Sequence, residues 1–242
     1  MSKVQWVPWG WAAAGVVALY AVDGAASLGA AGWAAGLAYL VVSTVLLSRG
    51  LRRTRAERFG PANAVTALRS TLVGVVTAMV VAAVAGPPST LLFVTITSTA
   101  LALDALDGYV ARRTDTMTAL GGRFDMEVDA FLLLVLSVYA GPIVGWWVLA
   151  IGLMFYAFVA AGWMIPWMRA TLPPRYWRKV VTAACGIALT VVAAGILPEP
   201  LEVVVALAAL ALLVESFGRD VIWLVRTRHP VAVSAESTAA SS

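Results

Sequence analysis

The chain reads as an all-α, polytopic membrane protein of about eight helices, a six-helix transmembrane core preceded by an N-terminal transmembrane hairpin. Three observations predict this. Of 242 residues, 61% are hydrophobic and 12% charged, with a mean hydropathy of +0.88, a balance that leaves no surface to show water. The apolar stretches have the length that spans hydrocarbon as a helix. The basic residues gather in a few short segments, the pattern that the positive-inside rule imposes on loops facing the cytoplasm. The expected division is a hairpin over 1–50, a core domain over 51–226 and a disordered Ser/Ala-rich tail over 227–242. Topology accounts for the net charge of +4, so nucleic acid is not an expected partner. Cys185 lies in an apolar run, where a lone thiol is a small core residue. His229, the only histidine, sits in the tail without a partner.

Taken in order, Lys3 and the cluster Trp6, Trp9 and Trp11 fit an interfacial aromatic belt. Apolar stretches at 9–27 and 30–48 follow, joined by a Gly/Ala/Ser-rich turn with Asp23 at its edge. No small-residue cleavage site follows a lone short apolar core, so both read as retained helices. Arg49, Arg52, Arg53, Arg55 and Arg58 make the next loop cytoplasmic. A helix over 61–85 opens with Asn63, Thr66 and Arg69 along one side of its first turns. An arginine that deep in a span needs an anion, either a diphosphate or a site carboxylate. Gly86-Pro87-Pro88-Ser89 is an external turn. Helices over 90–113 and 118–140 come next, then an external break at Gly141-Pro142 and a helix to about 165. A second basic loop holds Arg169, Arg175, Arg178 and Lys179. Helices over 180–197 and 202–225, with an external acidic turn between them, complete the core. All 17 Lys and Arg then fall on or near the cytoplasmic side.

Asp104, Asp107, Asp125 and Asp129 are the exception to this apolar pattern, and an unneutralised carboxylate in hydrocarbon is costly. The first two are three apart and the second two four apart, so each pair projects from one face of its helix. The polar link at 113–116 lets the two faces meet. Convergent oxygen ligands without His or Cys suit hard cations such as Mg²⁺, Mn²⁺ or Ca²⁺. Counting back from Arg112, Asp104 lies about 12 Å below the cytoplasmic rim, so the site is shallow and open to the cytosol.

The full spelling is Asp104-x2-Asp107-Gly108-x2-Ala111-Arg112-x8-Gly121-x3-Asp125-x3-Asp129. It resembles the CDP-alcohol phosphotransferase family at all eight fixed positions, with the resemblance covering roughly 60–226. Four clustered aspartates would take up protons unless cations shared the site, and two divalent ions bridged by carboxylates resolve this and clamp a phosphoryl displacement. Gly108 and Ala111 leave the helix backbone open to a ligand, Arg112 offers a fork to a phosphate, and Gly121 leaves room for a base or sugar. Tight helix packing explains both glycines equally well.

The resemblance implies an enzyme that moves the phosphatidyl group of CDP-diacylglycerol to an acceptor hydroxyl and releases CMP, in phospholipid synthesis at the cytoplasmic membrane. It implies that Asp104, Asp107, Asp125 and Asp129 hold two Mg²⁺ or Mn²⁺ ions, with Asp129 also the base. It places Asn63, Thr66, Arg69, Gly108, Ala111, Arg112, Thr118 and Gly121 around the CDP moiety, with Asn63 as a simple N-cap the alternative. A homodimer is implied on the same ground. Many relatives carry a basic residue after the fourth aspartate and Pro or Ser after the third, where this chain has Ala130 and Met126. That difference bears on the acceptor, for which inositol phosphate and glycerol phosphate are the alternatives and Arg123, Arg169, Arg175, Arg178 and Lys179 the candidate contacts. Glu127 points about 160° from the aspartate face, away from any fifth-ligand role. A metal carrier is the rival class, but it would want acids at the membrane midplane on repeated, broken helices.

Overall fold

A computed structural model describes residues 7–53, 61–86, 88–114, 119–169 and 176–227, the side chains of 61–63, 107–114, 119–120, 166, 169 and 176 excepted. Eight α-helices are described: α1 (Val7–Ala26), α2 (Gly29–Arg53), α3 (Pro61–Ala82), α4 (Thr90–Thr114), α5 (Ala119–Val144), α6 (Leu149–Met164), α7 (Tyr176–Ala194) and α8 (Glu199–Thr227). Single 3-10 turns precede α6 at Trp146–Val148 and follow it at Pro166–Arg169. No strand is present among the described residues, and the chain is a polytopic all-α membrane protein. Six stretches, in α2, α3, α5, α6, α7 and α8, are long and apolar enough to cross a membrane. α1, at 20 residues, is not among them, and α4 contributes the shorter apolar stretch Thr90–Leu106.

α3 and α5 form the interior. Of their spans 72% and 56% are buried, against 22–39% for the other four, because α3 packs on α1, α2, α4 and α5 while α5 packs on α3, α6, α7 and α8. In hydrocarbon the apolar effect does not choose which faces meet, and small residues that let backbones approach do. Gly32 and Gly36 of α2 show this: a Cβ on Gly32 would lie 2.8 Å from the Ala78 carbonyl oxygen, and one on Gly36 would meet Leu19 and Ala78. Likewise α6 crosses α5 where Gly152 would place a Cβ 2.4 Å from the Leu134 Cα. Aromatic stacking joins α4 to α5 through Phe93 and Tyr139, with ring centroids 4.3 Å apart. Cys185, fully buried, packs α7 against α8 with its sulfur 3.5 Å from the Ala209 carbonyl oxygen.

The first turn falls where the sequence places it, with Asp23 at its edge: half-buried in the last turn of α1, its Oδ1 accepts the Leu28 N–H at 2.9 Å, leaving only Ser27 and Leu28 between α1 and α2. The break expected at Gly141-Pro142 comes later, since α5 runs through Pro142 to Val144. Near a helix end, the bond proline removes is one of few left to lose. Gly145 makes the break instead, with φ 103°, a conformation that requires glycine. The tail after Thr227 lies outside the described residues.

Candidate active site

The site is built on three helices around Arg69, which is fully buried. Arg69 stands eight residues into α3, about 12 Å from its start, the depth that the sequence gives Asp104 on α4. Its Nη1 donates to Asp104 Oδ1 at 2.5 Å, and its Nη2 to Asp129 Oδ1 at 2.6 Å and to the Asp125 carbonyl oxygen at 3.2 Å. Asp125 Oδ1 also lies 2.8 Å from Nη1. The planar fork of arginine suits this task, because one guanidinium directs parallel donors at several carboxylates. Of the two anions the sequence allowed for Arg69, the structure shows the site carboxylates.

Helical spacing explains why the acids converge. Asp125 and Asp129 share one face of α5, Asp104 comes from α4, and α3 packs on both helices. A ligand atom from each acid falls within 4.8 Å of the others. Arg69 closes the bottom of the cluster, whereas the side chains of Asp104, Asp125 and Asp129 keep 24%, 13% and 23% of their surface. The acids therefore meet solvent on surface that Arg69 does not cover. Lys179, exposed at the start of α7, places its Nζ 3.8 Å from Asp125 Oδ2.

The residues fit a hard cation. Three carboxylates face one guanidinium, which leaves the cluster with excess negative charge. Asp125 Oδ1 is buried and, though ion-paired with Nη1 at 2.8 Å, accepts no aligned hydrogen bond, so the guanidinium leaves its hydrogen-bonding capacity unfilled. Oxygen donors alone suit a hard cation rather than a thiophilic metal.

The other sequence candidates distribute as follows. Thr66 is buried on α3, one turn before Arg69, and Gly121 is half-buried on α5. Gly108, Ala111 and Arg112 continue α4, and Asn63 lies in the first turn of α3, but their side chains, like that of Asp107, fall outside the described residues, as does Thr118. Arg123 is exposed on α5. Arg178 turns towards α8, its Nη1 3.5 Å from Asp220 Oδ2. Arg175 and the Arg169 side chain fall outside the described residues, so among the described acceptor candidates Lys179 alone reaches the acids. Glu127 is exposed and outside the cluster. Sequence reasoning missed Asp220, buried on α8, and Tyr39 of α2, whose hydroxyl meets Ser70 Oγ at 3.2 Å. A single buried acid near the end of an apolar stretch gives no periodic signal, and a lone tyrosine in a span reads as interfacial.

Fold and site together define a polytopic membrane protein with a carboxylate centre, backed by arginine and open at one end. The family described as CDP-alcohol phosphatidyltransferase matches residues 59–215, more than half of the chain, and the chain belongs to it. Membership makes it a phosphatidyl-transfer enzyme in general, acting on CDP-alcohols among membrane lipids. The match begins in the segment before α3, so α1 and α2 lie outside it. No curated protein and no solved structure matches the chain.

Proposed function

We propose that the protein transfers the phosphatidyl group of CDP-diacylglycerol to an acceptor hydroxyl and releases CMP, at the cytoplasmic face of the cell membrane. The observation that carries this reading is the convergence of Asp104, Asp125 and Asp129 on Arg69, within a chain of the matching family. The positive-inside distribution of Lys and Arg supports the orientation.

Asp104, Asp107, Asp125 and Asp129 would hold two Mg²⁺ or Mn²⁺ ions, which when bound neutralise charge on the diphosphate and on the departing CMP. Arg69 donates to one oxygen each of Asp104 and Asp129 and lies against Asp125 Oδ1, which holds the three carboxylates together. Asp129 takes the proton from the acceptor hydroxyl, and a base for that step must lie within hydrogen-bond reach of the attacking oxygen. The hydroxyl oxygen then bonds to the phosphorus next to the lipid, and the bond from that phosphorus to the CMP oxygen breaks. Asn63, Thr66, Gly108, Ala111, Arg112, Thr118 and Gly121 border the nucleotide. Lys179, exposed beside Asp125, favours a phosphorylated acceptor, as in a phosphatidylinositol-phosphate or phosphatidylglycerophosphate synthase. The homodimer implied by the family belongs to the same reading.

The test is to incubate purified protein with CDP-diacylglycerol, Mg²⁺ or Mn²⁺ and a panel of polyols and their phosphates, reading CMP. Metal-dependent CMP release with one acceptor supports the proposal. Silence across the panel, with correctly folded protein, counts against it.

A further inference from the structure

The α1–α2 hairpin lies outside the matched family segment, yet it touches the residues that flank Arg69. Ser70 and Thr71 follow Arg69 on α3. Ser70 Oγ is hydrogen-bonded to the Tyr39 hydroxyl at 3.2 Å, and Thr71 Oγ1, which donates to the Ala67 carbonyl at 3.1 Å, also lies 3.5 Å from the Trp11 carbonyl oxygen. Tyr39 also stacks on Phe131 of α5, with ring centroids 4.8 Å apart and an interplanar angle of 28°. Phe131 is two residues beyond Asp129, about 3 Å along the helix axis. α3 makes room for this contact at Gly74, where a Cβ would lie 3.1 Å from Tyr39 Cδ1. One side chain of the hairpin thus bridges the helix of Arg69 and the helix of Asp125 and Asp129, at the level of the site.

We propose that the hairpin is a positioning element of the acidic centre, acting through Tyr39 as a wedge that sets the spacing of α3 and α5. The inference rests on the metal-enzyme reading above only for its consequence. A guanidinium that must meet three carboxylates tolerates little drift between the helices that carry them, and an aromatic ring in stacked contact is a rigid spacer. Residues that orient metal-holding carboxylates without touching the ion affect ion affinity strongly, on the order of 10–100-fold. The hairpin then supplies to this chain a support that the matched segment does not contain.

The experiment compares full-length wild type, Tyr39→Ala, Tyr39→Phe and Leu19→Ala, the last removing a fully buried hairpin side chain that packs at Gly36, away from the site. Two quantities are read: amide hydrogen exchange over residues 66–72 and 125–131 without metal, and Mn²⁺ affinity by electron paramagnetic resonance. Tyr39→Ala is expected to speed exchange in both segments and to weaken Mn²⁺ binding about tenfold. Tyr39→Phe, which keeps the ring, restores affinity to within about twofold, a change below one ordinary hydrogen bond. Leu19→Ala lowers Tm but leaves both readouts as in wild type. Unchanged exchange and affinity in Tyr39→Ala, or equal losses in Leu19→Ala, would overturn the proposal. If wild type binds no Mn²⁺, the metal-enzyme reading fails, and the exchange comparison alone decides whether Tyr39 is the wedge.

Discussion

Arg69 Nη2 lies 2.6 Å from Asp129 Oδ1, a fully buried cation against the acid to which the proposed reaction gives the acceptor proton. The pairing places a permanent positive charge beneath the site. It lets three carboxylates share a small space inside a span before any other cation arrives.

Replacing that cation is expected to destabilise the protein. Arg69→Gln leaves the acids uncompensated, and removing one partner of a buried ion cluster costs about 3 kcal/mol or more. For a chain of this length that corresponds to a fall in Tm of roughly 6–12 °C. Arg69→Lys keeps the charge and loses the fork, so it recovers only part of the fall. Thermal unfolding of the three proteins in detergent is the check, and an unchanged Tm in Arg69→Gln would show that the cluster carries no such strain.

Asp129→Asn preserves shape and removes the proton acceptor. Turnover is expected to disappear while CDP-lipid binding persists, read by CMP release and by equilibrium binding. Full activity in that variant would remove Asp129 from the role of base.

How much of this was legible beforehand differs by residue. The acid faces were readable, because three- and four-residue spacings fix a helical face without reference to any neighbour. Arg69 was readable only as needing an anion, since its partner depends on how α3, α4 and α5 pack. The Tyr39 contact was not readable, because a span that is apolar all round carries no stripe to say which face docks. Gly32 and Gly36, four apart, were the available hint that α2 packs closely. The break after α5 was misplaced because Pro142 is the louder signal, while Gly145 has the φ that a turn of that kind needs.

Lys179 is the one described acceptor candidate next to the acids. Lys179→Gln should raise KM for a phosphorylated acceptor about tenfold, the equivalent of one charge-assisted hydrogen bond, with kcat little changed. Steady-state kinetics settle this, and an unaltered KM would take Lys179 out of the acceptor pocket.

Two glycines give a contrast that depends on packing alone. A Cβ at Gly152 would meet backbone, 2.4 Å from the Leu134 Cα, whereas one at Gly186 would meet only the end of the Leu101 side chain at 2.7 Å. Backbone in a helix crossing cannot step aside, and a leucine methyl can change rotamer. Gly152→Ala should therefore cost about 1–3 kcal/mol by overpacking, and Gly186→Ala clearly less. Equal Tm values for the two variants would contradict the tight α5–α6 crossing.

The most direct measurement is anomalous diffraction from crystals of the protein with Mn²⁺ and CMP. The account predicts manganese peaks within about 2.5 Å of oxygens of Asp104, Asp125 and Asp129, on the side away from Arg69, with the nucleotide phosphate beside them. Peaks elsewhere, or nucleotide bound with the three acids holding Arg69 alone, would contradict it.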